Sequence, residues 1–79
     1  MNIDWNDLPY FLAVANEGNL ARAAAHLGVN HSTVFRRING MEERLAARLF
    51  DRLPDGYALT PAGAEVLPLA RRADEAVQA

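Results

Sequence analysis

The chain has 79 residues, a formal net charge of −2 and no cysteine. All eight of its basic residues are arginine. Such a length is one domain able to bury only about 60% of its unfolded surface, and domains of this size usually need stapling, a metal, oligomerisation or a longer parent. Without cysteine, disulfides, thiolate metal sites and cysteine catalysis are excluded. A hydrophobic content of 51% is too high for a disordered chain. No apolar run approaches the roughly 18 residues of a membrane span. The N-terminus has no basic stretch leading into an apolar core, so neither a signal peptide nor a membrane partner is expected. The acidic balance argues against nucleic acid until it is divided by segment. Residues 18–41 carry Arg22, Arg36 and Arg37 with no acid, a local +3 between acidic flanks.

The first periodic segment runs from Asp4 to Glu17, with Trp5, Leu8, Leu12 and Ala15 three and four residues apart. Asp4 reads as an N-cap and Gly18 as the residue that ends the helix. Pro9 predicts either a later start, near Asn6, or an irregular first turn. Asn19 then caps a second helix, Leu20 to Leu27, rich in alanine and closed by Gly28. The three-residue link Gly28-Val29-Asn30 then leads, with Asn30 as the cap, into a third helix, read over about residues 30–49 from the apolar set Val34, Ile38, Met41, Leu45 and Leu49. Two helices joined by so short a glycine-containing turn form the helix-turn-helix pattern. Leu53-Pro54-Asp55-Gly56-Tyr57 is a turn signal. It predicts a hairpin over residues 50–59, a wing beside the helix pair. Thr60 and Pro61 restart a helix that reaches the C-terminus, with Pro68 expected to kink it. The fold class is mainly α: a winged helix-turn-helix over residues 1–60, three helices plus a short β-hairpin, followed by a linker helix over 61–79.

Turning about 100° per residue from His31, the third helix places Phe35, Asn39, Ser32 and Arg36 within about 140°, while its apolar set clusters elsewhere. None of these five residues is acidic, and the acids Glu42 and Glu43 come only after the helix has run more than two turns. A helix entering the major groove N-terminus first needs such a gradient, and its free amides favour phosphate. Arg36 suits guanine O6 and N7 or a phosphate; Asn39 suits adenine; Phe35 could contact a thymine methyl or pack on the second helix. Arg37 points elsewhere, toward backbone or an intramolecular acid. The candidate DNA-binding set is Asn19, Arg22, Asn30, His31, Ser32, Thr33, Phe35, Arg36 and Asn39, with Arg52 and Gly56 from the wing. Along the last helix, Val66, Leu67, Ala70, Ala73 and Val77 form a seam for which no core is left over. It is read as a dimerisation face, the alternative being that it folds back on Trp5 or Leu12. No metal-ligand cluster, cofactor motif or nucleophile–base pair is present, so no enzyme activity is expected.

Several short runs carry a family resemblance. They are Phe11-Leu-Ala-Val-Ala, Gly18-Asn-Leu, Arg22-Ala-Ala and Leu27-Gly-Val, then Ser32, Arg36 and Ile38. Further on come Glu42-Glu-Arg-Leu, Arg48-Leu-Phe-Asp-Arg52, Leu59-Thr-Pro-Ala-Gly63 and Leu67-Pro-Leu-Ala-Arg71. In order and spacing they resemble the N-terminal winged helix-turn-helix and linker helix of LysR-type transcriptional regulators. The resemblance implies a cytoplasmic, nucleoid-associated bacterial regulator that binds partial palindromes in double-stranded DNA. It also implies a homodimer joined by paired linker helices, a wing straddling the minor groove, Arg52 on the DNA backbone and Gly56 at the tight turn of the wing tip. Three features depart from that family: Phe35 stands where a small polar residue is usual, Asp55 where an arginine is common, and no effector-binding domain follows. The chain is therefore either an excised domain or a short regulator, with no small-molecule effector site within it. The alternative of another class is a winged-helix protein-interaction module that does not bind DNA.

Overall fold

The computed structural model describes residues 4–78, with the side chains of residues 4–76. A single 3-10 turn over Trp5–Asp7 leads into helix α1 (Leu8–Glu17), followed by α2 (Leu20–Leu27) and α3 (His31–Leu45). Strands β1 (Phe50–Leu53) and β2 (Gly56–Leu59) form the wing, and α4 (Pro61–Gln78) completes the chain. The fold is a mainly α winged helix-turn-helix with a β-hairpin wing.

Local chemistry explains most boundaries. The Asp4 carboxylate accepts from Asn6 N at 2.9 Å and caps the 3-10 turn. Pro9 occupies the first turn of α1, where its missing N–H costs nothing, so the irregular turn ahead of the helix resolves the difficulty it posed. Asn19 Oδ1 accepts from Arg22 N at 2.8 Å and caps α2. Gly18 and Gly28, both left-handed, close α1 and α2. Asn30 takes the extended N-cap conformation before α3, but its side chain caps nothing. At the far end Thr60 accepts from Gly63 N at 3.1 Å and donates to the Arg48 carbonyl at 2.6 Å, with Pro61 as the first residue of α4. The helix continues through Pro68, whose missing N–H leaves the carbonyl of Ala64, an exposed residue, without its intrahelical partner.

Two expectations are corrected. First, α3 ends at Leu45, not Leu49: Ala46 turns left-handed at φ 51° and its N–H closes back on the helix end. Leu49 is buried from the link to the wing, so it continued the helical spacing without belonging to the helix. Second, the α4 seam does have a core to cover. Ala70 is fully buried, and Val66, Leu67 and Ala73 pack partly buried against the same cluster, with α4 lying on α1. Val77 lies outside the described side chains.

The core is one cluster. Phe11, Val14, Val34, Ile38, Met41, Leu49 and Phe50 are its largest fully buried apolar members. Burying each such side chain contributes about 1.5–3 kcal/mol. Phe50 connects the wing to the helices, its ring 5.3 Å from that of Phe11 and 5.8 Å from that of Tyr57. Ala23 and Ala24, both buried, let α2 approach α1 and α3 closely. The hairpin is antiparallel, pairing Phe50 with Leu59 and Leu53 with Gly56 around the two-residue turn Pro54-Asp55. It is tied to the α1–α2 turn by Tyr57 N donating to the Gly18 carbonyl at 2.8 Å. No helix among the described residues is long and apolar enough to cross a membrane.

Candidate nucleic-acid interface

The leading end of α3 is open. His31, Ser32 and Arg36 are exposed, Thr33 and Asn39 half-buried, and Phe35 is 41% exposed despite its size. Arg36 Nε lies 3.5 Å from the Ser32 carbonyl of its own helix. Asn30 and Arg22 are also exposed, while Asn19 is half-buried and occupied in capping.

What separates the arginines is their partners. Arg37 and Arg44 both pair with Asp7, which is only 1% exposed; Arg37 does so at 3.3 Å and also lies over the Tyr10 ring. Arg48 and Arg52 both pair with Glu42, at 3.5 and 3.1 Å. Arg22 and Arg36 have no carboxylate partner among the described residues. The two acids thus take up the positive charge of α3's back and of the wing base, and leave two guanidinium groups unpaired on the helix-turn-helix.

Glu42 does more than balance charge. It is buried, and its Oε2 accepts from Leu49 N at 2.8 Å and from Phe50 N at 3.3 Å. Those two amides begin the wing, so one carboxylate fixes the hairpin relative to α3. Arg52 reaches back from β1 to the same carboxylate and to Asn39 Oδ1. Its guanidinium lies over both Phe35 and Tyr57, 5.4 and 5.5 Å from the ring centroids. Phe35, Asn39 and Arg52 therefore form one cluster bridging α3 and the wing. Asn39 does not have both ends of its amide free, as bidentate pairing with adenine requires. Gly56 is the first residue of β2, directly after the Pro54-Asp55 turn. A Cβ there would collide with the Gly18 carbonyl.

Sequence reasoning does not single out Asp7 or Glu42 as buried partners of these arginines. An arginine at four different positions needs a counter-charge somewhere, but nothing local says which acid is buried to supply it.

A helix-turn-helix with an unpaired basic leading edge, flanked by a hairpin locked to it, defines a regulatory winged-helix module. The model of bacterial regulatory helix-turn-helix proteins of the lysR family matches residues 5–64. The chain belongs to that family. It is 43% identical over 70 residues to the HTH-type transcriptional regulator TfdS of Cupriavidus pinatubonensis, covering 89% of this chain and 24% of that one. It is 40% identical over 70 residues to the HTH-type transcriptional regulator ClcR of Pseudomonas putida, with the same coverage of 89% and 24%. The chain thus spans about a quarter of the length of these relatives. Among solved structures, the CbnR DNA-binding domain in complex with DNA superposes with a TM-score of 0.91 at 37% identity, covering 96% of this chain and 87% of that one. The BenM DNA-binding domain bound to a benA site gives 0.90 at 28% identity, covering 96% and 88%.

Proposed function

We propose that this chain is the sequence-specific DNA-binding unit of a bacterial transcription regulator. The N-terminal part of α3 lies in the major groove and the wing lies over the flanking backbone and minor groove. Residues 1–60 read the DNA and residues 61–79 join two protomers on a partial palindrome, in the bacterial cytoplasm at the nucleoid. The observation that carries the reading is the division of the six arginines ahead of α4: four are paired with buried acids, while Arg22 and Arg36 have no carboxylate partner among the described residues, Arg36 on the same exposed helix end as His31 and Ser32. A planar guanidinium without an intramolecular partner suits guanine or phosphate. Two related DNA-binding domains have been solved in complex with DNA, which supports the same use of this surface.

Dimerisation rests on a narrower face of α4 than the full seam, because Ala70 is spent on the chain's own core. Leu69 on α4 and Trp5 ahead of α1 remain 52% and 68% exposed, and Val66, Leu67 and Ala73 keep part of their surface. The test is selection of bound duplexes from a random pool, followed by titration of the best sequence at several salt concentrations. The reading expects enrichment of a partial palindrome and a log–log salt slope of several units, since each neutralised phosphate contributes about −0.9. No enrichment and a slope near zero would leave a protein-interaction module as the better account.

A further inference from the structure

Phe35 is a large apolar side chain left in water on the face that α3 presents beside the wing. It is not loose. One side of its ring is covered by the Arg52 guanidinium, and Arg52 is itself held by Glu42 and by Asn39. The ring therefore sits on a support that reaches across from β1 and is anchored by two further residues of α3, and fixing it in a complex costs little further side-chain entropy. The same support removes the polar readers around it. Asn39 has its amide oxygen engaged, and Arg52 is engaged by carboxylate, amide and two rings.

In the major groove every base edge offers hydrogen-bonding atoms, and the thymine C5-methyl is the apolar feature. A phenyl ring against the exposed amino group of cytosine would leave that donor unpaired, which is disfavoured once water is excluded. From this geometry we infer that Phe35 is a specificity-determining residue: it reads a thymine methyl at one base pair of each half-site. The inference rests on the DNA-binding reading above and adds the chemistry of one position to it.

The test uses the 79-residue chain and its best selected duplex. Each thymine is replaced in turn by deoxyuridine, which removes the methyl and leaves the pairing unchanged. One position per half-site should weaken binding by about fourfold, the worth of one buried methyl-sized group. Phe35→Ser should flatten that loss to under about 1.5-fold, whereas Phe35→Leu, still apolar, should keep most of it. If no thymine shows the loss in the unmodified protein, or if Phe35→Ser retains it in full, the inference is overturned. Failure to select any sequence over scrambled DNA is a different result; it would overturn the DNA-binding reading, and this inference with it.

Discussion

The carboxylate of Glu42 accepts a hydrogen bond from the backbone N–H of Leu49 at 2.8 Å, and through it the reading helix and the wing become one rigid unit. The acid sits in the last turn of α3, and the amide belongs to the segment entering β1. Since Phe50 N donates to the same oxygen and Arg52 to the other, a single buried side chain sets the angle between the two elements.

Truncating that side chain should be costly. Glu42→Ala leaves two buried amides without acceptors, at about 1–3 kcal/mol each when unsatisfied. In a domain of this size each kcal/mol lowers the melting temperature by about 4–8 °C. Glu42→Gln keeps one oxygen for Leu49 N and should lose less than half as much. Urea denaturation of the three proteins, compared at constant m, checks both statements.

Two glycines are predicted to resist any side chain. A Cβ on Gly63 would fall on the Leu49 carbonyl, and one on Gly56 on the Gly18 carbonyl. Both obstacles are backbone, so neighbouring side chains cannot relieve them. Gly63→Ala and Gly56→Ala should each destabilise by about 1–3 kcal/mol or more, as overpacking does. Ala62→Gly, a helix-propensity change next to Gly63, should cost about 1 kcal/mol or less. Thermal melts separate these outcomes.

Ala46 offers the opposite case. Its φ of 51° places a residue with a Cβ in the left-handed region, at about 1–2 kcal/mol. Glycine relieves that strain while adding about 0.5–1 kcal/mol of unfolded-state entropy. Ala46→Gly should therefore stabilise by about 0.5–1 kcal/mol. An unchanged or lower denaturation midpoint would contradict it.

These same positions show what could be read in advance. Caps at Asn19 and Thr60, the glycine ends of α1 and α2, and the Pro54-Asp55 turn are local chemistry, and α2 and the hairpin fell where that chemistry placed them. Periodicity reports burial and not helix, which is why Leu49 extended α3 on paper: it is buried at helical spacing, but from an extended segment beyond Ala46. No residue type signalled the helix end, since alanine is the strongest helix former. The pairing of Asp7 with Arg37 and Arg44, and the use of Asn39 to hold Arg52, join residues distant in sequence. Only the packing of the elements brings them together.

The division of the arginines is the centre of the account, and Arg36 tests it most directly. Arg36 and Arg44 lie on the same helix; one is unpaired, the other is bound to Asp7. Binding of the best selected duplex should be measured for Arg36→Ala and Arg44→Ala, with thermal melts of both. Arg36→Ala should keep the melting temperature and lose about 1–3 kcal/mol of affinity, roughly 5- to 150-fold. Arg44→Ala should lose stability and bind, while folded, within about threefold of the parent, as a residue outside the interface does. Unchanged affinity in Arg36→Ala would contradict the account.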